Sequence, residues 1–213
     1  MSGFKKLFNR NGTFKKHHHL KNARQACLIQ HKRATLNAGD FSESLKLPPN
    51  TELNDWLAAN IVDFFNELCV VTENVLEYCN EETCPTMSAG EKYQYLWADG
   101  KNYKTPTKLP AKQYIELLYE WVLNLFDDQN VFPPDPTVPF PKNFKDVIKQ
   151  ITKRLFRVYA HIYHHHLEDV RRLDIEAHFN TAFRHFYCFI DQYSLMPKNE
   201  LEPLRQVILS FQK

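Results

Sequence analysis

Glycine is scarce in this chain, five residues in 213, about a third of the usual frequency of roughly 7%. Folds that turn on glycine loops are disfavoured, and helices are favoured. Long hydrophobic runs are missing as well. Charge interrupts every apolar stretch within two turns, so no run of 18 apolar residues exists and no membrane-spanning helix is expected. The segment Met1 to Lys16 carries isolated apolar residues such as Phe4 and Phe14 but lacks the apolar stretch of a secretory signal. Cysteine is present in an odd number, five, spread from Cys27 to Cys188. That is not the dense, even framework of a small secreted fold, and it points to a reducing compartment. The expectation is a soluble protein of the cytoplasm, with the nucleus as a second location.

Acidic residues are absent from the first 39 positions, which hold nine Lys or Arg. From Asp40 onward 18 basic residues face 25 acidic ones. A basic arm, 1–39, is thus joined to an acidic body, 40–213, whose length suits a single domain.

The body reads as helical. After Pro48-Pro49, with Asn50 or Thr51 as cap, Leu53, Trp56, Leu57, Ile61, Phe64, Phe65 and Leu68 step by three and four toward about Tyr78. A second helix follows Pro110, with Tyr114, Leu118, Trp121, Val122 and Leu125 on one stripe. A third starts near Asn143 and is expected to run about thirty residues through Ile148, Ile151, Leu155 and Ile162. Asp174 is the expected cap of the next, and Asn199 with Glu202 reads as a capping box for the last. A weaker helix is expected around Ala23 to Ala38. Tyr93 to Trp97 reads as a strand of one small hairpin turning near Asp99-Gly100. Five prolines from Pro133 to Pro141 make an extended crossover, since proline removes a donor and restricts the residue before it.

Two pairs of soft and borderline ligands stand out. Cys79 and Cys84 enclose four residues, and His161 and His166 repeat that spacing far along the chain. Two thiolates and two imidazoles suit tetrahedral zinc, and a closed four-ligand site leaves no position for a reactive water, so its role is structural. The spacing is equally met by buried free thiols beside a solvated histidine cluster. His164 and His165 also compete for the second imidazole, His165 being the regular i, i+4 partner of His161.

Enzymatic readings find little support. The histidine run has no activating glutamate for a zinc hydrolase, and there is no phosphate-binding glycine loop or Gly-x-Ser-x-Gly elbow. Cys69 and Cys188 fall in apolar helices, where an inert thiol is the usual outcome, and Cys27 lies in the arm. Charge is more informative. Glu52, Asp55, Asp63 and Glu67 form an acidic strip on the first helix that a basic helix can cover. Lys145, Lys149, Lys153 and Arg157 step by fours on the third, with Arg154 beside them, and such like-charge pairs cost about 0.2–0.5 kcal/mol each unless an anion offsets them.

In order, Leu-Asn-Asp-Trp at 53–56, Val-Asp-Phe-Phe-Asn at 62–66, Cys79 to Pro85, Met87-Ser88-Ala89-Gly90, Val138 to Phe144 and Arg154 to His164 resemble the Mob kinase activator family, or Mob/phocein fold, across nearly the whole chain. The likeness is nearest its Mob-one class, with Leu109-Pro110-Ala111 and His185-Phe186-Tyr187 resembling a sister class.

The resemblance implies an all-α fold: a four-helix-bundle core with additional helices, one small β-hairpin and a structural Zn2+ held by Cys79, Cys84, His161 and His166. It implies a non-catalytic adaptor, monomeric alone, that binds the basic N-terminal regulatory region of NDR- and LATS-type AGC kinases through Glu52, Asp55, Trp56 and Asp63. It further implies docking of phosphothreonine motifs of Hippo-type (MST) kinases on Lys153, Arg154 and Arg157, with phosphorylation at Thr13 and Thr35 relieving an inhibitory arm. Thr51 and the segment His17 to Cys27 depart from the family pattern. The competing class is a nucleic-acid-binding module, with the basic arm and the third-helix stripe tracking phosphates.

Overall fold

The computed structural model describes residues 41–211. The basic arm, its expected helix near Ala23 to Ala38, Cys27, Thr13 and Thr35 lie outside the described residues.

Four long helices form the core: α2 (Leu53–Thr72), α3 (Ala111–Asp127), α4 (Phe144–His165) and α6 (Glu176–Gln192). The short helices α1 (Phe41–Ser44), α5 (Leu167–Arg172) and α7 (Arg205–Ser210), and 3-10 segments at Val75–Glu77 and Lys198–Leu204, fill in around them. Helix α4 is central, packing on α2 and α3, while α2 also packs on α6. Their apolar stripes meet in one core that includes Trp56, Phe64, Phe65, Tyr119, Phe144, Tyr159, Phe183 and Phe186. Each such side chain contributes about 1.5–3 kcal/mol through burial. Edge-to-face contacts fix the registry, as between Phe65 and Tyr119, whose ring centroids are 5.4 Å apart at 84°. No helix among the described residues is long and apolar enough to cross a membrane.

Helix boundaries differ from the pattern in instructive ways. Asn50 has φ 60° and Glu52 is the residue before α2, without a side-chain cap, so neither Asn50 nor Thr51 caps it. Helix α2 stops at Thr72 rather than near Tyr78; the buried Thr72 hydroxyl donates back to the Leu68 carbonyl at 2.7 Å, which competes with regular helix geometry. Asp174 does not begin α6. At φ 56° it closes α5, with Ile175 N–H bonding the Val170 carbonyl at 3.2 Å and Asp174 N–H the Arg171 carbonyl at 2.9 Å. This is a Schellman stop with aspartate in the left-handed position usually given to glycine. Ser194, at φ 51°, ends α6 in the same way. The expected capping box at Asn199 and Glu202 is absent, and Pro197 precedes a 3-10 segment there.

The small hairpin pairs β1 (Ser88–Ala89) with β2 (Tyr93–Gln94), antiparallel. Its strand was expected, but its partner precedes it, across a turn containing Gly90. A Cβ on Gly90, at φ 67°, would lie 3.1 Å from His164 Nδ1, so glycine is required there by conformation and by space. The turn expected at Asp99-Gly100 is also there: Trp97 and Thr107 exchange backbone hydrogen bonds of 2.8 Å in an antiparallel bridge across it, and Asp99 Oδ1 accepts from the backbone N–H groups of Lys101 and Tyr103 at 2.8 and 2.9 Å.

Candidate metal centre and charged faces

The third helix of the sequence reading ends at His165, after 22 residues rather than thirty. His166 leaves helical geometry at φ −130°, ψ 16°, and α5 starts directly after it. That break explains which histidine joins the cluster. On a continuous helix His165 would follow His161; here the irregular turn swings His166 inward instead. His165 points its Nε2 at Ser88 Oγ (3.1 Å) and at the Gly90 N–H (3.3 Å).

The result is a buried group of Cys79, Cys84, His161 and His166, whose ligand atoms all lie within 4.8 Å of one another. Cys79 Sγ is 3.5 Å from His161 Nε2, and Cys84 Sγ is 3.3 Å from His166 Nε2. A tetrahedral metal with sulfur at about 2.3 Å and nitrogen at about 2.05 Å has sulfur-to-nitrogen edges of about 3.6 Å, so the spacing suits a metal ion. Both imidazoles are oriented from behind. His161 Nδ1 donates to the Ser88 carbonyl at 2.8 Å, and His166 Nδ1 to Asp169 Oδ2 at 2.9 Å, which leaves each Nε2 free to act as a ligand. Asp169 is held in turn by Arg172 at 2.6 Å, and Arg172 lies over the Tyr78 ring at 4.2 Å. No signal in the sequence singled out Asp169, although a carboxylate three residues past a histidine on a helix is within reach of it.

The cluster is electrostatically prepared for a cation. A hydrogen bond to Cys84, with burial, pushes the Cys79 thiol up. The reciprocal bond from Cys79, with those from His161 and His166, holds Cys84 well below the usual thiol range. Burial opposes the His166 imidazolium, but its bonds to Cys84 and Asp169 outweigh that and raise its pKa. The Cys84 thiolate is ready to bind a cation, and the proton kept on Cys79 is one that a metal ion displaces on binding.

The acidic strip is less uniform than its spacing suggests. Glu52 is exposed, Asp63 and Glu67 are half-buried, and Asp55 is 8% exposed. Trp56 does not reach the surface: it is 1% exposed, and its indole N–H donates to the Leu45 carbonyl at 3.2 Å. It therefore supports the strip from beneath. Exposed Glu77 and half-buried Glu73, past the expected residues, extend the acidic character toward the metal end. Burial raises the pKa of Glu73, and the neighbouring Glu77 adds to it.

The basic residues of α4 come together with aromatics. Arg154 lies between Trp97 and Trp121, 4.5 and 4.4 Å from the ring centroids, and donates through Nη2 to the Ala98 carbonyl at 2.7 Å. Arg157 lies 5.1 Å from the Tyr95 centroid and donates to Tyr114 Oη at 2.8 Å. Buried Arg154 Nη1, Arg157 Nε and Tyr95 Oη have no hydrogen-bond partner among the described residues. Lys149 and Lys153 instead meet carboxylates, Asp146 at 3.2 Å and Glu200 at 2.6 Å.

Comparison with known proteins agrees with this architecture. A model described as the Mob1/phocein family matches residues 33–204. The chain is 46% identical over 206 residues to "MOB kinase activator-like 1 homolog B" of Dictyostelium discoideum, covering 95% of each. It is 48% identical over 185 residues to "MOB kinase activator-like 1A" of Arabidopsis thaliana, covering 87% of this chain and 86% of the relative. With one helical core, one two-stranded hairpin, a Cys2His2 cluster and identity of this extent, the chain belongs to the Mob1/phocein family.

Proposed function

We propose that this protein is a non-catalytic adaptor and co-activator of protein kinases, braced by a structural zinc. What carries the reading is near-full-length similarity, at 46–48% identity, to proteins named as kinase activators. The buried Cys2His2 set supports zinc in particular: two thiolates and two imidazoles fill a tetrahedron with no open position for substrate. Zinc here clips the segment after α2 to the end of α4 and thereby sets the α2 surface.

The kinase partner is an NDR- or LATS-type AGC kinase, whose basic regulatory helix lies along Glu52, Asp63 and Glu67, with Asp55 and Trp56 supporting the helix from within. The basic residues Lys153, Arg154 and Arg157 take a phosphothreonine motif of an upstream Hippo-type kinase. Donors already buried without a partner, on Arg154 and Arg157, support an anion-binding role. The arm 1–39, with Thr13 and Thr35, competes for the acidic face until phosphorylated, each phosphate adding about −1.5 to −2 in charge. The protein acts in the cytoplasm and nucleus, in cell-cycle and mitotic-exit signalling.

The test is calorimetry with a basic helical peptide from an NDR-type regulatory region at two ionic strengths. Glu52→Lys with Asp63→Lys should weaken binding about tenfold or more and flatten its salt dependence, because steering and interfacial pairing are both lost. An unchanged dissociation constant at both salt concentrations rejects the assignment of this face.

A further inference from the structure

The basic face of α4 already holds an anion supplied by the protein itself. Lys153 Nζ lies 2.6 Å from Glu200 Oε1, and Glu200 belongs to the 3-10 segment Lys198–Leu204, 47 positions along the chain. The neighbouring pair is different in kind: Lys149 meets Asp146, three residues away on the same helix. Asp146 ties α4 to itself, whereas Glu200 pins a separate element onto it.

Two further observations bear on this carboxylate. Burial raises the pKa of the Tyr95 phenol; Arg157 opposes that rise, and Glu200 adds to it, so Glu200 is felt on the Tyr95 and Arg157 side of the face as well. The pair is also accessible, with side-chain exposures of 39% for Lys153 and 30% for Glu200, so either can rotate into water without breaking the core. The same segment has a second tether, His164 Nε2 donating to the Pro203 carbonyl at 2.9 Å, and buried Leu204 anchors its end.

We propose that Glu200 is the resident anion of the basic face, an intramolecular carboxylate that an incoming phosphate displaces from Lys153. Occupancy of the site is thereby coupled to release of residues 198–204. The proposal rests on the phosphopeptide reading of Lys153, Arg154 and Arg157. A phosphate carries about −1.5 to −2 against −1 for the carboxylate, so it wins the exchange at Lys153 while also reaching the arginines. Because half-exposed ion pairs are weak, Glu200 tunes affinity by a few-fold and does not close the site. The coupling runs both ways: whatever loosens the segment tightens phosphate binding, and phosphate loosens the segment.

The full chain is tested with a fluorescent nonapeptide library bearing phosphothreonine at its centre and randomised flanks, in wild type, Glu200→Gln, Lys153→Gln, the double variant, Arg157→Ala and Glu202→Gln. Glu202 lies on the same segment but pairs with Arg205, at 3.6 Å, and so reports any general effect of removing a negative charge. Glu200→Gln should tighten binding about three- to fivefold, the scale of a half-exposed pair. Glu202→Gln should change nothing, and Glu200→Gln should gain nothing in the Lys153→Gln background. Hydrogen exchange at 198–204 should rise in wild type when phosphopeptide is added, and in Glu200→Gln without it. Equal gains from Glu200→Gln and Glu202→Gln, or a gain that survives loss of Lys153, would overturn the proposal. Wild-type binding that Arg157→Ala abolishes and Glu200→Gln leaves unchanged removes the role of Glu200 and keeps the site. Absence of binding by every folded variant removes the site reading itself, and this inference with it.

Discussion

The metal cluster and the basic face sit on the same helix, α4, and handle polar groups in opposite ways. At the cluster every ring nitrogen and sulfur is directed inward or held from behind: His161 by Ser88, His166 by Asp169, and Asp169 by Arg172. At the basic face Arg154 and Arg157 each keep a buried nitrogen without a partner, and Lys153 borrows a carboxylate from a distant segment. Buried polar atoms left unpaired cost about 1–3 kcal/mol each. The first region turns its polar groups toward one another; the second leaves some of its donors unpaired among the described residues.

The largest effect should come from breaking the closed region. Cys79→Ser should deplete the metal on elemental analysis and lower Tm by at least about 10 °C, because metal binding at a structural site is folding free energy. Chelation of the wild-type protein should reproduce the drop. A Cys79→Ser variant with full metal content and unchanged Tm would remove the metal assignment and leave four buried groups that only pair with each other. The smaller change Asp169→Asn sharpens the same contrast. It spares all four ligands but removes the carboxylate charge and leaves one amide oxygen where His166 and Arg172 each had an oxygen, which weakens the hold on the His166 tautomer, so metal affinity measured by chelator competition should fall about 10- to 100-fold. Equal loss in Asp169→Asn and in a control at exposed Glu168 would make the effect one of charge rather than orientation.

These residues also mark where the sequence was legible and where it was not. The apolar stripes of α2, α3, α4 and α6 were readable because burial imposes period 3.6 on them whatever their ends do. Ends were less readable, since they depend on contacts the local sequence does not contain. Asp174 looks like a helix cap and is a helix stop, because Ile175 and Val170 meet across it. The choice between His165 and His166 turned on a break in α4 that has no glycine or proline to announce it; only the family resemblance favoured His166. On the acidic strip the spacing located Glu52 and Asp63 and put Trp56 on the apolar stripe beneath it, but could not foresee that Asp55 is nearly buried or that the Trp56 indole donates to the Leu45 carbonyl. Helical spacing gives an angle around the axis, and burial also depends on what precedes the helix. Glu200 was invisible as a site residue because its partner is 47 positions away.

The smallest stability effect, and the sharpest division, lies within the basic face itself. Arg154 and Lys153 are adjacent in sequence, carry the same charge and face different tasks. The Arg154 guanidinium is stacked between two indoles and bonded to the Ala98 carbonyl, so Arg154→Ala should cost about 3 kcal/mol from lost cation–π contact and a charged hydrogen bond. Arg154→Lys should recover little, because an ammonium cannot lie flat between the rings and still reach that carbonyl. Lys153 stands at the edge with its side chain 39% exposed, paired to Glu200, so Lys153→Ala should change stability by less than about 1 kcal/mol in denaturant unfolding. Its phosphopeptide affinity should nevertheless fall, with a shallower dependence on salt, since a mobile surface ammonium contributes to capture of an anion without contributing to the core. The ranking in stability, Arg154 above Lys153, is thus paired with binding loss in a variant that remains fully folded. Should Lys153→Ala destabilise as much as Arg154→Ala, the pair with Glu200 is a structural strut, and Lys153 is not set aside for an outside anion.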